Sequence, residues 1–84
     1  MEIRLEKQPE KYLASVDEPT RAKLRKALEN IKILEGNIVK LKGTGDLFRY
    51  KFEHYRIIFR FDGKQIIIIV AINTRTNIKY RRFQ

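Results

Sequence analysis

Phe48-Arg49-Tyr50-Lys51-Phe52-Glu53-His54-Tyr55-Arg56-Ile57-Ile58-Phe59-Arg60-Phe61-Asp62-Gly63 is the stretch on which the fold turns. Phe48, Tyr50 and Phe52 alternate with Arg49 and Lys51. Tyr55, Ile57 and Phe59 then alternate with Arg56, Ile58 and Arg60. Period two over both runs predicts two half-buried strands. A two-residue loop at Glu53-His54 sets Phe52 opposite Tyr55 and Lys51 opposite Arg56. It gathers the aromatic and apolar residues on one face and Arg49, Lys51, Arg56, Ile58 and Arg60 on the other. Lys51 and Arg56 are then like charges directly opposed, an arrangement that is destabilising unless an anion sits between them. Close cations depress one another's pKa, which makes Lys51 a candidate for proton transfer. A solvated sheet face with splayed basic side chains is the alternative reading of the same pattern.

Asp62-Gly63 is a second hairpin turn, leading into the next strand. The run Ile66 to Ile72 has no polar face and predicts a central strand covered on both sides. Lys79-Tyr80-Arg81 reads as a short final strand. Upstream, Lys42-Gly43-Thr44-Gly45-Asp46 is a loop. Leu24, Leu28 and Ile31, with Leu34 close to the same stripe, recur at helical spacing. Asp17 is the expected N-cap of that helix, starting around Pro19, and Gly36-Asn37 its stop signal. Pro9 to Val16 predicts a shorter helix with Tyr12 and Leu13 inward, and Glu2 to Glu6 alternates as a strand. The expected fold is α+β in one domain, residues 1–84: an N-terminal strand, a two-helix hairpin, then an antiparallel meander of three or four strands with the helices on one face.

The charge is uneven. Of 84 residues, 19 are Lys or Arg and 10 are Asp or Glu, a net +9. Residues 1–37 carry eight bases against seven acids, and residues 38–84 eleven against three, a net +8. Such segregation points to a polyanionic partner. The absence of Cys excludes disulfides and thiol chemistry, and the single His excludes a two-histidine acid–base pair. The longest apolar run is too short to span a bilayer, so a cytoplasmic, soluble protein is expected, with no membrane partner. Lys42-Gly43-Thr44-Gly45 lacks the Walker spacing of a phosphate loop. Cationic groups without a metal suit cleavage of RNA by its own 2′-hydroxyl, in which guanidinium groups hold the phosphate and an amine exchanges protons.

Leu41-Lys42-Gly43, Phe48-Arg49-Tyr50-Lys51-Phe52 and Tyr55-Arg56-Ile57-Ile58-Phe59, followed by an apolar strand and a basic tail with a Tyr, resemble the RelE/ParE superfamily of toxin–antitoxin toxins. The likeness runs from the first strand to Tyr80. It implies the small α+β fold described above. It also implies a ribosome-dependent endoribonuclease that cleaves mRNA without a metal or other cofactor and leaves a 2′,3′-cyclic phosphate. A ParE-like, non-enzymatic DNA gyrase inhibitor is the second function within the resemblance, and a catalytically inactive nucleic-acid-binding module the third reading. By position in the motifs, Arg49, Lys51, Arg56 and Arg75 would hold and neutralise the phosphate. Lys51 would be the base, Arg75 would stabilise the leaving side, and Tyr80 would stack on a base or orient the 2′-hydroxyl. Lys42, Arg60, Lys79 and Arg81 are expected to make further phosphate contacts. The implied partners are ribosome, mRNA and an acidic, partly disordered antitoxin, in a heterotetrameric or larger toxin–antitoxin complex. Arg49 stands where the family often has Lys, Glu53-His54 replaces the usual Gly-Asp turn, and residues 75–80 match the family tail loosely.

Overall fold

The computed structural model describes residues 1–43 and 45–83. In chain order it contains β1 (Glu2–Leu5), α1 (Lys7–Ser15), α2 (Glu18–Lys32), β2 (Asn37–Lys40), β3 (Leu47–Phe52), β4 (Tyr55–Asp62), β5 (Ile66–Thr74) and a short 3-10 helix, Tyr80–Phe83. One five-stranded sheet has the order β1-β5-β4-β3-β2. The last four strands form an antiparallel meander, and β1 lies parallel to β5. The α+β expectation therefore holds. Thr44 of the predicted loop and Gln84 of the tail lie outside the described residues.

Two elements differ from the sequence reading. The fourth meander strand is β2, directly after the helices, while Lys79-Tyr80-Arg81 is not a strand. β4 and β1 occupy the two sides of β5, so no free edge remains beside it for a following strand. The chain turns away instead, with the N–H groups of Asn77 and Ile78 donating to Thr74 O. In addition, α1 begins at Lys7 rather than Pro9, which is accommodated in the first turn where its missing N–H costs nothing.

The alternation of the central hairpin makes the core. Tyr50, Ile57 and Phe59, with Ile67, Ile69 and Ile72 of β5, meet Leu13 of α1 and Leu24, Ala27, Leu28 and Ile31 of α2. Each fully buried large side chain contributes about 1.5–3 kcal/mol. Between Ile58 and Phe59 the β4–β5 register shifts, leaving Val70 as the extra residue of a bulge that returns Ile69 and Ile72 to the same face. Beyond the end of β1, the Gln8 side chain continues the ladder: its Nε2 donates to Ile72 O and its Oε1 accepts from Ile72 N, both at 2.8 Å. The Arg21 guanidinium caps the end of α1, donating to Leu13 O at 2.8 Å and Val16 O at 2.9 Å.

Asp17 Oδ1 accepts from Thr20 N at 2.9 Å, the expected N-cap of α2. Hydrogen bonding by the side chain and backbone of Thr20 holds the Asp17 carboxyl below the usual aspartate range. A lowered folded value means that the cap stabilises above the ordinary aspartate pKa and is lost as pH falls through the folded one. Asp17→Ala is accordingly expected to lower the melting temperature at neutral pH, with the gap from wild type closing under acid conditions. A gap of constant size in melts recorded from neutral pH down to acid would refute this account.

At its other end α2 stops earlier than Gly36. Leu34 N donates to Ile31 O and Glu35 N to Asn30 O, both at 2.9 Å, the paired bonds of a Schellman cap. Leu34 occupies the left-handed position at φ 57°, where glycine is preferred, and its side chain faces solvent rather than joining the apolar stripe. Leu34→Gly relieves that strain, partly offset by the greater entropy of the unfolded glycine chain. Stability is expected to rise by about 0.5–1 kcal/mol, read as a higher urea midpoint at unchanged slope.

Candidate functional site

The sheet face away from the helices collects the basic residues of the hairpin. β3 contributes Arg49 and Lys51, and β4 contributes Arg56 and Arg60. Lys51 is opposite Arg56, Arg49 opposite Ile58, and Leu47 opposite Arg60. On the outer side Asn37 of β2 pairs with Lys51 and Val39 with Arg49. On the inner side Asn73 of β5 pairs with Arg56. Alternation thus brings Arg49, Lys51 and Arg56 onto one continuous surface.

These three residues are held differently. Lys51 is exposed. Arg49 is half-buried, and its Nη2 donates to Asn37 Oδ1 at 3.1 Å, which fixes the guanidinium over the β2–β3 ladder. Arg56 is only 9% exposed. Its Nη1 donates to Glu53 O at 3.0 Å and Tyr55 O at 2.8 Å, so the guanidinium is tied to the carbonyls of its own turn. These bonds use one nitrogen of the fork, and the register keeps the residue opposite Lys51. Arg56 therefore builds the turn as well as contributing charge, a role its place in the alternating pattern did not reveal.

The turn itself is under constraint. Glu53 has φ 53°, the left-handed region at the first central position, where a glycine fits more easily. Its carboxylate lies 3.6 Å from Lys23 Nζ of α2, and its carbonyl accepts from Arg56. His54 O accepts from Arg75 N at 2.7 Å. That bond places the exposed Arg75 beside the turn, at the same end of the sheet as Lys51 and Arg56.

The other residues singled out from the sequence are more scattered. Arg60 Nη2 lies 4.0 Å from Glu6 Oε2, drawing its head toward the β1–α1 junction. Lys42 precedes β3, at the opposite end of that strand from Lys51. Tyr80 is half-buried at the start of the 3-10 helix, with Arg81 exposed next to it and Lys79 just before. Ile58, Ile68 and Ala71 are buried although the register puts them on this basic face. Part of the cover comes from the tail: Asn77, Ile78, Lys79, Arg82 and Phe83 enclose a cavity with Ala71 and Asn73. The apolar run Ile66 to Ile72 predicts cover on both sides of β5, and the buried Ile68 and Ala71 agree with it; what the sequence did not reveal is that the tail supplies part of that cover.

Positive groups held on a rigid sheet around an exposed amine can bind a phosphodiester and neutralise charge that develops on it. Arg49, Lys51 and Arg56 thus share one face of the sheet, with Arg75 beside the turn at its end. Among the described residues, no helix is long and apolar enough to cross a membrane. A comparison with curated proteins returned no match. The family model described as the ParE toxin of the type II toxin–antitoxin system parDE matches residues 3–78, from the first strand through β5 and into the tail. The chain belongs to this family of type II toxin–antitoxin toxins, within the ParE/RelE superfamily.

Proposed function

We propose that this toxin is a metal-independent endoribonuclease that cleaves mRNA on the ribosome. The observation that carries the reading is the direct opposition of Lys51 and Arg56, with Arg49 on the same face. An isolated sheet gains nothing from that pairing, whereas an RNA phosphate gains charge neutralisation and a neighbouring amine. In the reaction, Lys51 as its free amine takes the proton of the 2′-hydroxyl, and the 2′-oxygen attacks phosphorus. The bond to the 5′-oxygen breaks, leaving a 2′,3′-cyclic phosphate and a 5′-hydroxyl. Arg49 and Arg56 neutralise the crowded phosphate, and Arg75, at the turn, stabilises charge on the leaving oxygen until solvent protonates it. In this reading the ribosome supplies strand positioning.

A second reading is non-enzymatic inhibition of DNA gyrase, favoured by the matched family's description as the ParE toxin of parDE. Translation in vitro with purified toxin, followed by mapping of transcript ends, separates the two. Cuts at ribosome-occupied codons, lost in Lys51→Ala, are expected. Intact transcripts together with blocked supercoiling would transfer the assignment to gyrase.

Membership of the family implies a cognate antitoxin. We take it to be an acidic, partly disordered chain that wraps the helices and sheet. A groove of about 860 Å³ between α2 and β1 offers it an apolar seat, lined by Ile3, Leu5, Leu13 and Leu28 together with three bases, Arg25, Lys26 and Lys32, and two acids, Glu2 and Glu29.

A further inference from the structure

The cavity under the tail has the chemistry of an anion site. Its volume is about 90 Å³, room for one phosphate-sized group. Asn73, Asn77, Lys79 and Arg82, with Gln8, are its polar lining residues, set beside a larger apolar lining that includes Ile78 and Phe83. Gln8 is already committed to the backbone of Ile72. Asn73 Oδ1 accepts from Thr74 N at 2.9 Å, which orients that amide and leaves its Nδ2 as the remaining donor. Asn77 adds a second amide, and Lys79 and Arg82 add two positive charges. The ion pairs among the described residues engage Arg4, Arg21, Lys23 and Arg60, so neither tail cation is neutralised by a carboxylate there. Among the described residues, no acidic side chain lines the cavity.

Position gives this donor set a purpose. Asn73 pairs directly with Arg56, so the cavity begins one strand away from the opposed Lys51–Arg56 pair, on the same face. The family match ends at Ile78, so Lys79 and Arg82 lie beyond it. We propose that the tail cavity formed by Asn73, Asn77, Lys79 and Arg82 is a second phosphate subsite, which holds the phosphodiester next to the one at Lys51 and Arg56. The inference rests on the ribonuclease reading for its RNA partner, while the anion site itself does not.

Binding of a 2′-O-methylated RNA trinucleotide, which lacks the attacking hydroxyl, tests it on the full chain. The probe is titrated into ¹⁵N-labelled toxin while the side-chain amide signals of Asn73 and Asn77 are followed. Inorganic phosphate is titrated in parallel. Saturable shifts of both amides with the trinucleotide are expected. Arg82→Ala should weaken its binding about tenfold and reduce the salt slope by about 0.7, the loss of one single-strand phosphate contact. Asn77→Ala should weaken binding without altering that slope. Saturation by inorganic phosphate alone would make this a free-anion site and overturn the RNA subsite. Amide signals unmoved by either probe would overturn the proposal entirely. Saturable trinucleotide shifts from a toxin that yields no cut transcripts would uphold the subsite while the ribonuclease reading falls.

Discussion

Lys51→Ala is expected to lower single-turnover cleavage of ribosome-bound mRNA by about 10²–10⁴-fold, the usual range for loss of a proton-transfer group. Folding should be untouched, because Lys51 is exposed and surface substitutions of this kind stay within about 0.5 kcal/mol. Arg49→Ala should cost about 10²-fold through lost charge stabilisation. It also frees Asn37, whose side-chain oxygen accepts from Arg49, but that contact is exposed and contributes little to stability. Arg56 must behave differently. Its removal strands the carbonyls of Glu53 and Tyr55 in a partly buried turn, so Arg56→Ala should lose about 1–3 kcal/mol of stability in addition to activity. Lys51→Arg separates the two duties assigned to Lys51. A guanidinium keeps the positive charge but does not give up its proton near neutral pH. Binding of the trinucleotide should survive in that variant while cleavage does not. Equal cleavage by Lys51→Arg and wild type would remove Lys51 from proton transfer, and wild-type cleavage by Lys51→Ala would remove it from the mechanism.

The faces of the central hairpin were legible because strand side chains alternate with a period of two, and a short loop fixes the register. Lys51 opposite Arg56 follows from those two facts alone. What alternation does not encode is depth. It puts Arg56 and Ile58 on the polar face but gives no indication that both are buried, since that depends on the turn folding back and on the tail lying over β5. β2 escaped notice because four residues with one half-buried apolar side chain, Ile38, make too short a pattern. Tyr80 was misassigned for a different reason. Its neighbours suit a strand, but β1 returns from the far end of the chain to occupy the last edge of β5, and local propensity carries no information about that competition. Arg60 likewise belongs to the basic face by parity, yet Glu6, distant in sequence, draws its head away.

Gly36→Ala should be among the most destabilising substitutions in the chain, although the residue is exposed. Gly36 has φ 115°, a conformation L side chains rarely adopt. A Cβ there would lie 2.5 Å from Tyr50 Cε1 and 2.9 Å from the Tyr50 hydroxyl oxygen. Tyr50 cannot yield easily: it is 3% exposed, stacks near Phe52 with ring centroids 6.5 Å apart, and its hydroxyl accepts from Asn30 Nδ2 at 3.3 Å. The glycine thus lets the α2–β2 connection pass against a buried ring that joins the end of α2 to the middle of the sheet. Backbone strain of about 1–2 kcal/mol and overpacking of about 1–3 kcal/mol act together. The loss is a large share of the roughly 4–12 kcal/mol typical of a domain this size. Tyr50→Leu removes the part of the ring that would clash and leaves the backbone strain. The double variant should therefore be more stable than the sum of the two single losses predicts, by about the overpacking share, as measured by urea unfolding. Strict additivity would mean that the ring moves aside freely, and the close packing of Tyr50 against this connection would no longer explain why a glycine stands at position 36.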